Sequence, residues 1–146
     1  MGTGDEGLVR YKDNTAQATY RPEGPNSNTS YRLRIFGNKL YMLPGGRWAT
    51  QNMRMGEIMI YENGSWTNIK NGTLVEQLGN IPVYDIMNVA QDPNDSKHYF
   101  VTTFGTGMLE MQGEKVVKHY TPNNSNLIAA APDNPALYTR TDGIMY

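Results

Sequence analysis

A repeat with a period of fifty residues constrains this chain more than any other sequence feature. Tyr20 and Pro22 stand 100 residues before Tyr120 and Pro122, and each pair is followed by a tail rich in Asn and Ser. Three short segments align at offsets of 50 and 100 residues, namely 7–11, 57–61 and 107–111. A fixed period of this length is typical of folds that repeat one supersecondary unit.

Each copy of the repeat contains a pattern that predicts a β-hairpin. In the second copy, the apolar stretches 58–61 and 66–69 flank Glu-Asn-Gly-Ser. Asn-Gly strongly favours a two-residue hairpin turn, because both residues tolerate a positive φ angle. In the third copy, the stretches 108–111 and 116–120 flank Gln-Gly-Glu-Lys in the same way.

Two further strands are predicted ahead of each of these hairpins. They cover residues 31–35 and 40–43 in one repeat, and residues 84–90 and 99–103 in the next. Segments rich in β-branched and aromatic residues, bounded by turn formers, are typical of strands. The sequence therefore predicts four antiparallel strands per repeat.

Turn-forming residues are spread along the whole chain rather than gathered in one segment. Fifteen Asn, 15 Gly and 8 Pro make up 38 of the 146 residues, and apolar stretches separate them, which favours many short strands over disorder. One window, 73–78, has a helical pattern, but Gly72 and Gly79 bound it and it is too short to be stable alone. We therefore expect an all-β chain.

Four-stranded units of about 40–50 residues are the signature of β-propeller blades. A chain of 146 residues supplies roughly three such blades, whereas closed propellers have about four to eight. We therefore predict an incomplete β-propeller, a fragment of a larger propeller; the alternative is a small closed or sandwich-like β-domain. The predicted divisions are the end of one blade at 1–28, complete blades at 31–79 and 81–127, and the start of another blade at 128–146.

Composition excludes several classes of function. A formal net charge of -1 offers no electrostatic surface for nucleic acid, so no nucleic-acid partner is expected. The chain has no cysteine, which excludes disulfides, thiol nucleophiles and zinc fingers. No apolar run approaches the roughly 18–20 residues of a spanning helix, and the N-terminus lacks the features of a signal peptide. We expect any export signal to lie outside this chain.

The stretch 84–111 resembles the two-component-regulator propeller repeat. It has a strand, an Asp-containing turn, an aromatic-led strand, Gly-x-Gly at 105–107 and a hairpin, and 118–127 is similar to the usual tail of that repeat. Together with Pro-Gly-Gly-Arg-Trp at 44–48 and Gly-Ser-Trp at 64–66, the chain is similar to the N-terminal propeller of PorZ-like proteins of the type IX (Por) secretion system of Bacteroidota.

This resemblance implies a binding or scaffold module in the periplasm or on the outer-membrane surface, without catalysis and without a cofactor. The implied partners are an anionic glycan or lipopolysaccharide, proteins of the secretion system, and the missing propeller blades of a full-length protein. An alternative is the glycan-sensing domain of a hybrid two-component system. A further alternative is an enzyme, such as a propeller lyase or glycosidase.

An insertion supplies the candidate ligand-binding residues. Leu40 and Ile58 are 18 positions apart, whereas the matching Tyr99 and Met108 are 9 apart. The extra residues form a loop at 45–54, where a stacking ring and two guanidinium groups suit an anionic sugar. The candidate ligand-binding residues are Arg47, Trp48, Asn52 and Arg54. In the alternative reading, Trp48 packs between blades with Arg47 in a salt bridge beside it.

No catalytic or metal-binding residues are predicted. His98 and His119 are the only histidines, they lie on different strands, and neither has a partner at ligand spacing. The segment 92–95, Asp-Pro-Asn-Asp, lacks the ligand pattern of a calcium loop and predicts a turn. No Gly-x-Ser-x-Gly sequence is present to hold a serine nucleophile.

Overall fold

The computed structural model describes residues 2–3, 7–46 and 53–127. Within these ranges the chain forms three antiparallel sheets, which we call the first, second and third sheet, and one short helix. The first sheet contains β1 (Gly2–Thr3), β2 (Gly7–Lys12) and β3 (Thr15–Tyr20). The second contains β4 (Arg32–Phe36), β5 (Lys39–Leu43), β6 (Ile58–Glu62) and β7 (Ser65–Ile69). After helix α1 (Asn71–Gln77), the third contains β8 (Ile86–Gln91), β9 (His98–Thr103), β10 (Met108–Gln112) and β11 (Lys115–Tyr120).

In every sheet, strands that follow one another in the chain are also neighbours in space. This arrangement confirms the predicted all-β class and is compatible with a propeller fragment, although the described ranges do not close a ring. The predicted blade limits stay predictions, and residues 128–146 lie outside the described ranges.

The last hairpin of each sheet has the same register, as the repeat predicts. Tyr11 pairs with Ala16 and Tyr61 pairs with Trp66, each across a two-residue turn. The third hairpin repeats this arrangement with Met111 and Val116. In the middle hairpin, Asn63 and Gly64 have φ angles of 51° and 86° and so make the predicted turn.

The first and third sheets also share a close approach of two backbones. Gly7 and Gly107 have φ angles of 89° and 91°, and a Cβ atom on either would overlap the carbonyl oxygen of Tyr20 or Tyr120. In both sheets the pairing register of the last hairpin shifts within the strand that begins near this glycine. The shift lies between Arg10 and Tyr11 in β2 and between Glu110 and Met111 in β10. The middle repeat has neither the glycine nor the shift.

The main core lies between the second and third sheets. The rings of Tyr41 and Tyr99 meet with centroids 5.3 Å apart, and both side chains are buried. At the rim of this core, the Tyr41 hydroxyl donates to Gln91 at 3.1 Å. Arg34 Nε donates to Asn88 across the same interface at 3.0 Å.

The helix corrects the expectation that the window 73–78 is not helical. Helix α1 forms because Leu74 is fully buried in the core between the sheets, so tertiary packing compensates for its short length. The Asn71 side chain donates to the carbonyl oxygens of Gly56 and Val83, and Gly79, with φ of 67°, follows the end of the helix.

The predicted strand 84–90 begins two residues later, at Ile86. Asp85 has a φ angle of 50°, which is incompatible with an extended strand. Tyr84 instead forms an isolated antiparallel bridge with Met55. This departure from strand geometry places Asp85 at the root of the 45–54 loop.

We expect Gly107→Ala to destabilise the protein more than Gly113→Ala. Both glycines have a positive φ, which costs a substituted alanine about 1–2 kcal/mol. Only the Gly107 Cβ would meet the Tyr120 carbonyl, whereas Gly113 has open space, so overpacking adds about 1–3 kcal/mol to the first variant alone. Urea unfolding of both variants measures the difference, and equal losses of stability would contradict the close approach.

Candidate functional site

The first end of the 45–54 loop leaves β5 through two glycines. Gly45 and Gly46 have φ angles of 56° and 131°, a region that L side chains rarely adopt. The Gly45 N–H donates to the carbonyl oxygen of Ile86 at 2.9 Å, and a Cβ atom on Gly45 would overlap the side chain of Tyr31. The glycines therefore allow the chain to turn sharply out of β5 into the loop.

The other end of the loop is held by the carboxylate of Asp85. Its two oxygens accept the backbone N–H groups of Met53 at 2.9 Å and Arg54 at 2.8 Å. The Asp85 N–H donates back to the Arg54 carbonyl at 2.9 Å, and its own carbonyl accepts the N–H of Phe104. Both ends of the loop in the second sheet are thus fixed to the segment that leads into β8 of the third sheet.

Asp85 is a buried acid, with only 1% of its surface exposed. Burial raises its pKa above the usual range, and the N–H groups of Arg54 and Met53 and the charge of Arg54 oppose that rise. Because burial outweighs the other effects, the ionised carboxylate is held at a cost in free energy. Its two hydrogen bonds fix the position of this end of the loop.

Of the four predicted ligand-binding residues, the described ranges include only Arg54. Arg47, Trp48 and Asn52 lie outside them. Arg54 is partly buried, and the exposed side chains of Met53 and Met55 lie on either side of it in the chain. The structure therefore places one cationic residue at the root of the loop and shows how its backbone is fixed.

Sequence reasoning missed Asp85, because it assigned this residue to a strand. One signal was available: Asp85 is the only charged residue in the otherwise uncharged stretch 81–90. A buried charge in such a stretch needs hydrogen-bond partners, and so indicates a structural or functional contact.

A second polar group, which we call the His98 cluster, lies on the third sheet and consists of Asp92, His98, Glu110 and Tyr120. His98 Nδ1 lies 3.1 Å from an Asp92 oxygen, and its Nε2 lies 2.9 Å from a Glu110 oxygen. The Tyr120 hydroxyl donates to the other Glu110 oxygen at 2.6 Å. Lys118 lies over the Tyr120 ring, 4.5 Å from its centroid.

The hydrogen bonds within this cluster favour a protonated histidine between two carboxylates. The carboxylates of Asp92 and Glu110 accept hydrogen bonds from the two ring nitrogens of His98, and these bonds raise the pKa of His98. The Tyr120 hydroxyl and His98 together lower the pKa of Glu110. With a carboxylate on each ring nitrogen, His98 has no free nitrogen for a substrate, so the cluster is suited to joining β9, β10 and β11.

The sequence analysis considered His98 only as a metal ligand and did not predict its contact with Asp92. The turn after β8 brings Asp92 to within hydrogen-bond distance of the histidine. That turn itself was predicted, and Asp92 and Asp95 form it by accepting the N–H groups of Asn94 and Lys97. Within the described ranges, no group of three or more His, Cys, Asp or Glu side chains is arranged to hold a metal ion.

The sheets and the fixed loop define a class: an all-β chain of repeated antiparallel sheets, in which the long connection between β5 and β6 has both ends fixed to the neighbouring sheet. The chain is similar to the solved structure of PorZ, described as an essential bacterial surface component of the type IX secretion system of the human oral bacterium Porphyromonas gingivalis. The two share 29% sequence identity with a TM-score of 0.73, over 92% of this chain and 18% of the PorZ chain.

Other comparisons add no relative. No family model matches the chain, so membership of the two-component-regulator propeller family is not shown. No curated protein sequence matches it either. The helix in the described part of the chain is too short to cross a membrane.

We expect Asp85→Asn to loosen the root of the loop. The side-chain amide of asparagine can accept a hydrogen bond at only one atom, so one of the two N–H groups of Met53 and Arg54 loses its acceptor. Loss of a buried hydrogen bond costs about 1–3 kcal/mol, which corresponds to roughly tenfold or faster amide exchange at that residue.

Hydrogen exchange measured by NMR on Met53 and Arg54 tests this expectation. Asp95→Asn is the matched control, because Asp95 accepts a backbone N–H in an exposed turn of the third sheet. Unchanged exchange in Asp85→Asn, or an equal effect of the control on the loop, would contradict the role of Asp85.

We expect the His98 cluster to make stability depend on pH near neutrality. A folded-state pKa above the usual value of about 6.5 contributes stability below that value and loses it as pH rises through the folded pKa. The melting temperature should therefore fall from pH 6 to pH 8, and His98→Gln should remove much of that fall. His119→Gln is the control and should retain it; an identical pH profile in His98→Gln and the wild type would refute the expectation.

Proposed function

We propose that this chain is part of a non-catalytic binding or scaffold propeller in a PorZ-like surface component of a type IX secretion system. The observation that carries the proposal is the similarity to PorZ, with 29% identity and a TM-score of 0.73 over 92% of this chain. The chain spans about a fifth of the PorZ chain, so the proposal concerns the role of these blades within a longer protein.

We further propose the 45–54 loop as the contact surface of this module. Its two ends are fixed by Gly45 and by the Asp85 carboxylate, so a ligand would meet a loop whose roots are already ordered. Preorganisation of this kind lowers the entropic cost of binding. Arg47 and Arg54 supply positive charge and Trp48 supplies an aromatic face.

The chemical class of ligand proposed is an anionic glycan, with lipopolysaccharide as the form met on a bacterial surface. Guanidinium groups form charge-assisted, bidentate hydrogen bonds with phosphate and carboxylate groups. Aromatic rings present a large, rigid contact surface. A secretion-system protein is the other proposed partner, and the proposed location is the periplasm or the outer-membrane surface.

We expect Arg47→Gln/Arg54→Gln to weaken binding of purified lipopolysaccharide. Each charge-assisted hydrogen bond contributes about 1.5–3 kcal/mol, so loss of both is expected to weaken binding by roughly 100-fold or more. The control is Arg10→Gln/Lys12→Gln, which removes the same charge from exposed positions on β2. Calorimetric titration with native and dephosphorylated lipopolysaccharide measures affinity and its dependence on phosphate.

The melting temperature distinguishes binding from packing. Reduced affinity at an unchanged melting temperature supports a ligand surface. A large fall in melting temperature supports the alternative in which Arg47 and Trp48 pack between blades. Equal affinity of both double variants and the wild type would remove the loop from the proposed function.

The alternative of a glycan-sensing propeller in a hybrid two-component system stays a prediction. Its discriminating observation is the sequence that follows in the gene. A transmembrane helix followed by kinase motifs would favour the sensor, whereas a second propeller followed by a β-sandwich would favour the PorZ-like protein.

A further inference from the structure

Two arginines on strand β4 have no carboxylate partner in the described part of the chain. Arg32 and Arg34 alternate with apolar residues along this strand, so their side chains lie on the same face of the second sheet. That face is turned toward the third sheet, because Arg34 pairs with Tyr41, whose ring packs against Tyr99. Both arginines are partly buried, so two positive charges are held on this face without a compensating acid.

The guanidinium group of Arg34 uses only part of its hydrogen-bonding capacity. Its Nε donates to the side-chain oxygen of Asn88 on β8 at 3.0 Å. The terminal nitrogens of a guanidinium group are also donors, and those of Arg34 have no acceptor among the described residues. Arg32 contacts the Tyr31 ring, with its guanidinium carbon 5.7 Å from the ring centroid. Donors on both arginines therefore remain available to an acceptor.

The side-chain amide of Asn88 is a second, independent feature that points to a ligand. Asn88 is almost completely buried, with 3% of its surface exposed. Because Nε of arginine can only donate, the amide oxygen must face it, and this fixes the orientation of the amide group. The N–H groups of the amide nitrogen then have no acceptor within the described ranges. An unpaired buried donor is unfavourable, so an acceptor at this point would stabilise the site.

The available donors lie close together, where β4 contacts β8. The oxygen and nitrogen of the Asn88 amide share one carbon, so the nitrogen lies beside the guanidinium group that donates to the oxygen. A water molecule there could accept from the amide, but it would leave the positive charge uncompensated. An oxyanion can accept from both groups and also supplies the negative charge. The neighbouring buried ring of Tyr41 lowers the local polarity, which strengthens such a contact.

We propose that Arg34 and Asn88 form a binding site for an oxyanion, namely a carboxylate or a phosphate group. One oxygen of the anion accepts from the terminal nitrogens of Arg34, and another accepts from the amide nitrogen of Asn88. Arg32, two residues away on the same face of β4, adds positive charge to the site. Asn88 thus has two roles, because its oxygen orients the guanidinium group and its nitrogen binds the ligand. The proposal is independent of the 45–54 loop, since it uses none of the candidate residues there.

An NMR titration of the 146-residue chain tests this proposal, with sodium acetate in one series and inorganic phosphate in another. The signals observed are the side-chain N–H groups of Asn88 and the Nε–H group of Arg34. Sodium chloride holds the ionic strength constant, so that the screening of charges does not change during the titration. We expect saturable shifts of both signals. Tighter binding of acetate would identify a carboxylate as the preferred ligand, and tighter binding of phosphate would identify a phosphate group.

Two variants and a control separate binding at this site from binding elsewhere. Arg34→Lys keeps the charge but loses the planar pair of terminal donors, so we expect the affinity to fall about tenfold. Asn88→Asp places a carboxylate of the chain itself beside Arg34, so we expect the saturable shift of Arg34 Nε–H to disappear. Arg10→Gln is the control: it removes a positive charge from an exposed position on β2 and should leave the affinity unchanged.

Three outcomes would overturn the proposal. If neither anion shifts the Asn88 amide signals in a saturable way, Arg34 and Asn88 form only a contact between the sheets. Unchanged affinity in both Arg34→Lys and Asn88→Asp would place the bound anion elsewhere. An equal loss of affinity in Arg10→Gln would show general attraction to positive charge rather than a site. If Asn88→Asp fails to fold, the titration of Arg34→Lys against the control decides.

Discussion

The contact between Tyr41 and Tyr99 joins the two complete sheets, and the rest of the structure depends on it. Their rings lie at the centre of the core, and each hydroxyl has an acceptor at its edge: Gln91 for Tyr41 and the Gly113 carbonyl for Tyr99. Burial raises the pKa of both hydroxyls, so both are neutral donors. Because both hydroxyls are paired, two large aromatic groups are buried without an unsatisfied polar atom.

The position of the candidate loop follows from this contact. Asp85 and Ile86, at the start of β8 in the third sheet, supply the carboxylate and the carbonyl that hold the loop of the second sheet. A buried amine adds a further tie, since Lys39 donates to the Ser96 carbonyl at 2.7 Å. Any movement of one sheet relative to the other would therefore move the loop ends as well.

Much of the fold was predictable from the sequence, because it depends on local patterns. Asn63 and Gly64 predict the middle hairpin, and the fifty-residue offset predicts the shared register of Tyr11, Tyr61 and Met111. The resemblance to PorZ-like proteins agrees with the structural similarity between this chain and part of PorZ.

The features that sequence reasoning missed depend on contacts between distant segments. Helix α1 is stabilised by burial of Leu74 between sheets, which no local pattern of seven residues reveals. Asp85 fixes the loop through hydrogen bonds from the backbone N–H groups of Met53 and Arg54, which are 32 and 31 residues away in the chain. His98 contacts the Asp92 carboxylate because of the turn after β8, and it contacts the Glu110 carboxylate from the neighbouring strand β10. The contacts of Leu74 and Asp85 are long-range contacts that override local propensity.

The middle repeat shows why departures from a repeat are informative. At the position where the first and third copies have Gly7 and Gly107, the second has Glu57, which is 8% exposed. Its two carboxylate oxygens accept the side-chain groups of Asn26 and Ser27, both at 2.5 Å, from the segment that follows β3.

Glycine at this position permits the close approach to the carbonyl of Tyr20 or Tyr120, whereas Glu57 joins the second sheet to the segment that follows β3. The same repeat carries the inserted loop and the helix, and both of these also contact the neighbouring sheet. The strands of all three sheets follow one pattern. The features that distinguish the second repeat from the other two therefore lie in its loop, its helix and its contacts with the connecting segments. Those segments are therefore where differences in ligand and partner between this chain and similar proteins should be sought.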